Sequence, residues 1–179
     1  MSPPDSSAEE YQSREERLEV SRRYRERRGR ELRDLAADAI GGPVEAAGEF
    51  SSVPTEALAA IPGVGMLLLP LARRRARKVG LGPKLLLALD EDRLHALELR
   101  PADVRRDRDT ATPKLSWPRA ETSIERNGRA FMRDRVLLTV PDRERPIELF
   151  APTLITNPWS AEVVRLLGGE APEPLDLSA

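Results

Sequence analysis

The sequence predicts an α+β chain: a long, highly charged N-terminal helix, then antiparallel strands that end in one short amphipathic helix. Three observations predict it. Charge crowds residues 1–42, whereas the long aliphatic runs lie between Leu81 and Leu167. From Lys84 onward, short apolar runs alternate with turn residues at strand spacing. Near the end, Asn157-Pro158 opens a stretch whose apolar residues recur at helical spacing.

At 179 residues the chain has room for one ordinary domain with flanking segments. Charged residues make up 33% and aromatics 4%, so the core is expected to be aliphatic and modest. A net charge of −1 gives no protein-wide field to gather nucleic acid, so any such contact has to be local. With no cysteine, the sequence holds no disulfide, thiolate metal site or cysteine nucleophile, which fits a reducing cytoplasm. Arginine far outnumbers lysine, and alanine and proline are frequent, a usage that resembles proteins of high-GC bacteria. Met1-Ser2-Pro3-Pro4-Asp5 lacks the basic start and apolar stretch of a secretory signal, so a cytoplasmic location is expected.

Residues 1–6 read as a lead-in, and Ser7-Ala8-Glu9-Glu10 fits a capping box. From there to Ile40 only Gly29 weakens a helix. Acidic-to-basic pairs four apart (Glu10/Arg14, Glu19/Arg23, Glu26/Arg30) each add about 0.2–0.5 kcal/mol to an isolated helix. Apolar positions are sparse: Leu18, Val20, Tyr24, Leu32, Leu35, Ala36, Ala39 and Ile40, of which only the last turns look adhesive. No a/d heptad is sustained, so the expectation is a solvated, fraying helix, with a partner or self-association helix as the rival.

Gly41-Gly42-Pro43 ends the helix, and residues 43–56 receive no firm structure. Ala57–Ala72 carries no charge, and Arg73-Arg74-Arg75-Ala76-Arg77-Lys78 follows it. An apolar run beside a basic one raises the question of a membrane. Spanning needs about 20 residues, and Pro62, Gly63, Gly65 and Pro70 interrupt this run. A surface-lying segment would insert Met66, Leu67, Leu68, Leu69 and Leu71, with Arg73, Arg74, Arg75, Arg77 and Lys78 meeting anionic headgroups. Against it stands the commoner outcome, in which these side chains pack on the domain and the arginines stay in water.

Lys84–Leu89 reads as a strand, Asp90-Glu91-Asp92 as a tight turn and Arg93–Leu99 as the returning strand. A polar loop from Pro101 to Pro113 leads to strands at Lys114–Trp117 and Glu121–Arg126. Asn127-Gly128 supplies a type I′ turn signal, with Arg129–Val140 as partner strand. Pro141–Arg145 is a turn and Pro146–Ala151 the last strand. Asn157 then stands as N-cap with Pro158 at the first helical position, and Trp159, Val163, Leu166 and Leu167 form a stripe up to Gly168-Gly169.

Consecutive antiparallel strands closed by one amphipathic helix resemble a pleckstrin-homology-like (PH-like) domain. Four segments in order are similar to such domains from actinobacteria and related groups. They are Gly82-Pro83-Lys84-Leu85-Leu86-Leu87-Ala88-Leu89, Asp92-Arg93-Leu94-His95-Ala96-Leu97, Ser116-Trp117-Pro118-Arg119-Ala120 and Asn157-Pro158-Trp159-Ser160-Ala161-Glu162-Val163-Val164-Arg165-Leu166-Leu167. The resemblance spans residues 80–169. It implies a bent sheet forming an open barrel, one end stoppered by the final helix, that binds rather than catalyses. Phosphoinositide-binding members use a basic cluster between their first two strands. Here that turn is taken as Asp90-Glu91-Asp92, which repels phosphate. The expected divisions are 1–42 (charged helix), 43–80 (apolar-then-basic linker), 81–169 (PH-like domain) and 170–179 (disordered acidic tail).

Little reactive chemistry is legible. His95 is the only histidine and no EF-hand spacing occurs, so neither metal nor cofactor is expected. The acidic turn reads as solvated rather than as a Ca²⁺ site. Gly63-Val64-Gly65 and Gly80-Leu81-Gly82 lack the spacing and ending of phosphate loops. No nucleophile, base and oxyanion donor assemble. Trp117 and Trp159 read as core anchors. The basic run lacks the interleaved aromatics of a single-strand nucleic-acid binder, and no small-molecule substrate is evident. The expected role is a non-catalytic binding or scaffolding module whose N-terminal helix engages a protein or a second copy; the alternative is peripheral membrane attachment through residues 57–78.

Overall fold

The computed structural model describes residues 6–53, 74, 80–104, 106–130 and 133–171, with side chains from residue 16 onward apart from Ala130. Helix α1 (Ser6–Ile40, 35 residues) is followed by β1 (Ala46–Ser51), β2 (Lys84–Leu89), β3 (Arg93–Arg100) and β4 (Thr110–Pro118). A 3-10 turn at Arg119–Glu121 leads to β5 (Ser123–Ala130), β6 (Arg133–Thr139), β7 (Ile147–Pro152) and helix α2 (Pro158–Leu166). The fold class is α+β. All strands pair antiparallel in one seven-stranded sheet, ordered β4-β3-β2-β1-β7-β6-β5. Its two halves meet where β1 touches β7 through the single ladder pair Ser51↔Phe150.

The first strand corrects the sequence reading, which left residues 43–56 without structure. Ala46–Ser51 pairs residue for residue with β2, from Ala46↔Leu89 to Ser51↔Lys84. Its composition hides it, because alanine, glycine and glutamate are poor strand formers and only its neighbours make it one. The sheet therefore begins before Leu81. The acidic turn at Asp90–Asp92 consequently joins β2 to β3, and the connection between the first two strands is residues 52–83.

Alternation sorts the side chains into two buried groups. Leu85, Leu87 and Leu89 face an inner core with Leu94, Ala96, Trp117, Ile124, Val136, Leu138 and Leu149, against which α2 lays Ala161, Val163, Val164 and Leu167. Leu86 and Ala88 face the other way, joining Ala47, Leu97, Leu99 and Trp159 beneath Leu32 and Ala36 of α1. A strand buried on both faces reads as the unbroken apolar run seen here. The expectation of a solvated N-terminal helix is thus overturned for its last turns: Leu32 and Ala36 are fully buried.

Two bulges retune the strands. Between Ala96 and Leu97 the β3–β4 register skips Lys114, so Leu115 and Trp117 point inward while Ala111 turns toward α1. The skip also carries β4 back to Thr110, into what reads from sequence as loop. In β5 the register shifts between Arg126 and Arg129, so Asn127-Gly128 is a bulge within the strand and not the expected turn. Gly128, at φ +83°, provides the left-handed residue that either feature needs, which is why the local signal misleads.

Helix α2 ends in a Schellman motif: the Gly168 N–H donates to Arg165 O (3.1 Å) and the Gly169 N–H to Val164 O (2.9 Å). At its start Pro158 holds the expected position, but Asn157 makes no side-chain cap; its amide donates instead to Thr153 O and Thr156 Oγ1, both at 3.0 Å. The first turn of α2 presses on β1 at Gly48, where an added Cβ would lie 2.8 Å from the Ser160 Cα. Gly48→Ala is expected to cost about 1–3 kcal/mol by overpacking. Thermal melts should show a clear fall relative to Gly42→Ala, a site with nothing within 4 Å.

Candidate binding surface

Helix α1 divides into a docked part and a free one. The docked part is Arg28 to Ile40, where Leu32 and Ala36 are buried and Leu35, Ala39 and Ile40 pack beside them. Arg28 clamps this part electrostatically: its guanidinium donates to a carboxylate oxygen of Glu49 on β1 and to Asp109 Oδ2 (2.9 Å) just before β4. Burial works against the Arg28 charge, but the two carboxylates outweigh it and raise its affinity for its proton. N-terminal to Arg28, the described helix contributes no residue to either buried group. Val20 and Tyr24 are 67% and 53% exposed, and the Arg27 guanidinium lies 5.9 Å from the Tyr24 ring centre.

Asp109 carries the pH sensitivity of the clamp. Burial pushes its carboxyl up, but the Ala102 N–H (2.8 Å) and the Arg28 guanidinium hold it below its ordinary 3.8. A depressed carboxyl stabilises the fold above its unfolded pKa and loses that contribution as pH falls through its native one. Asp109→Asn should therefore weaken the protein at neutral pH and flatten its loss of stability below about pH 4. Urea titrations across that range check it.

The apolar-then-basic segment occupies the β1–β2 connection. Its two ends are tied by Ser51↔Lys84, by the Ser52 N–H to Pro83 O (3.2 Å) and by Ser52 Oγ to Gly82 O (2.8 Å). Between those ends, Met66, Leu67, Leu68, Leu69, Arg73, Arg75, Arg77 and Lys78 lie outside the described residues. Arg74 is described, and exposed.

The acidic turn is self-contained. Asp90 Oδ1 accepts from the Asp92 and Arg93 N–H groups (2.9 and 2.6 Å), and Oδ2 lies 2.8 Å from His95 Nε2. Burial raises the Asp90 carboxyl, and these contacts, His95 foremost, pull it lower than usual. Trp117 sits in the inner core and donates its indole N–H to Asp142 Oδ1 (2.8 Å). Trp159 sits under α1 with its indole N–H unpaired.

Sequence reasoning missed two polar fixtures. Arg28 is one of many helix arginines, and only its place four and eight residues before Leu32 and Ala36 marks the docked stripe. Asp134 is fully buried in β6; its Oδ1 accepts from Arg126 Nε (2.9 Å) and Nη2 (2.7 Å), and its Oδ2 from the Leu154 N–H (2.7 Å). Nothing local distinguishes it from the exposed acids around it. Among the described residues no group of three or more histidine, cysteine or acidic side chains is placed to hold a metal, and no helix is long and apolar enough to cross a membrane. No protein-family model matches the chain, and no curated protein is significantly similar to it in sequence.

Proposed function

We propose that the protein is a non-catalytic PH-like binding or scaffolding module, with the free part of α1 as the arm that engages another protein. The observation that carries this reading is the divided helix. Thirty-five helical residues extend about 52 Å, yet only the last turns are spent on the sheet. A helix anchored at one end and, over residues 16–27, highly charged and mostly exposed, with Leu18, Glu19, Ser21 and Arg25 half-buried, suits a docking arm. The PH-like part of the reading is supported by the strand order, with β1 between β2 and β7, and by a final helix packed on the inner core. The test is affinity capture from the native cell with the intact chain and with a chain starting at Arg28. A partner held by the first and lost by the second is expected; equal capture by both would overturn the arm.

A second reading, peripheral attachment to anionic membrane, is favoured by where the apolar-then-basic segment falls. It joins the first two strands and leaves the sheet through a tied neck at Ser51–Ser52 and Gly82–Lys84. Flotation with vesicles containing anionic lipid tests it: Arg73, Arg74 and Arg75 changed to Glu should abolish binding. Indifference to both lipid charge and these changes would remove the reading.

A further inference from the structure

We propose that the arm's partner is a second copy of this chain, α1 pairing antiparallel with α1 through the face that bears Val20 and Tyr24. This deepens the docking-arm reading and rests on it.

Two independent features point to a copy. The first is the exposed apolar pair. Among the described residues only Val20, Tyr24 and Val104 are large exposed hydrophobics, and the two on α1 stand four apart on one face. At 100° per residue Tyr24 lies about 40° and 80°, and Val20 about 80° and 120°, around the helix from Arg28 and Leu32; both stay uncovered because α1 adds no residue to the buried groups before its docked turns.

The second feature is the placement of charge. Residues 9–19 hold five glutamates (Glu9, Glu10, Glu15, Glu16, Glu19) against two arginines. Residues 22–33 hold seven arginines (Arg22, Arg23, Arg25, Arg27, Arg28, Arg30, Arg33) against two glutamates. The change of sign falls at residues 20–22, beside the apolar pair. Parallel pairing would set like against like. Antiparallel pairing about a two-fold axis between Val20 and Tyr24 sets each acidic stretch against the other copy's basic one, and each Val20 against the other copy's Tyr24. Such a patch is self-complementary, as a two-fold interface must be. Glu16 then lies on the flank nearest Arg27 and Arg30 of the second copy, and Tyr24, already stacked with Arg27, supplies the aromatic contact.

Sedimentation equilibrium of the intact chain tests the proposal. A reversible monomer–dimer equilibrium that weakens at high salt is expected. Val20→Glu with Tyr24→Glu, both exposed, should raise the dimer Kd by about tenfold or more through like charges meeting at the axis, with the melting temperature unchanged at concentrations where both proteins are monomeric. Orientation is read by disulfide trapping, which is clean because the chain has no cysteine. In an equimolar mixture of Arg17→Cys and Arg27→Cys chains, the mixed disulfide should dominate. A chain that stays monomeric throughout, a dimer indifferent to the double variant, or homodisulfides in place of the mixed one would each overturn the proposal. Monomer with specific capture of a different protein through the arm would overturn self-pairing while leaving the docking-arm reading in place.

Discussion

Leu32→Asp is expected to remove about 4 kcal/mol or more of folding stability and to release α1 from the sheet. Leu32 is fully buried against Leu86, Ala88, Leu97 and Trp159, so even truncation to alanine should cost about 2–5 kcal/mol. A carboxylate there adds the penalty of a buried charge, and Arg28, one turn before it, is already committed to Glu49 and Asp109. With the helix loose, the apolar face formed by Ala47, Leu86, Ala88, Leu97 and Leu99 opens to water, and aggregation should follow. Urea unfolding with light scattering measures both effects. A loss below about 0.5 kcal/mol, the range of ordinary surface changes, would mean that α1 is not part of the fold.

Asp134→Ala is expected to cost about 3 kcal/mol. The change strands a buried Leu154 N–H, worth about 1–3 kcal/mol by itself, and deprives Arg126 of its acceptor. Arg126 is 31% exposed and partly recovers water, so the loss falls at the lower end of that for breaking a buried pair. Asp134 ties the β5 bulge to the segment between β7 and α2, so the damage should reach past β6. Asp134→Asn keeps an acceptor oxygen and should fall between the two. The readout is the urea midpoint with its slope unchanged; an alanine variant as stable as the parent would refute the assigned bolt.

Those two positions mark the border of what sequence reveals. The β2–β3 hairpin and α2 were legible because their signals are local: an apolar run, an acidic turn, a proline at the first helical position. β1 has no such signal, and the docked part of α1 shows in sequence only as adhesive last turns without a partner. Ala46-Ala47-Gly48-Glu49-Phe50-Ser51 is a strand because β2 pairs along its whole length, and Gly48 is glycine because α2 passes too close for a Cβ. Asn127-Gly128 shows the converse, a strong local signal that tertiary pairing turned from hairpin to bulge. On the surface, Val20 and Tyr24 were visible as apolar residues, but their exposure became known only once Leu32 and Ala36 fixed which stripe docks. Arg28 and Asp134 act through partners far off in sequence, Asp109 and Leu154, beyond any periodicity.

The last turns of α1 are built into the sheet, and on the reading proposed above its earlier turns are held out for a partner. Amide hydrogen exchange along α1 at low protein concentration tests this most directly. Protection from Leu32 to Ile40 should match that of Lys84–Leu89 in β2, while residues 16–27 exchange far faster. Uniformly fast exchange along the whole helix would contradict the account, as would uniform protection equal to that of the sheet.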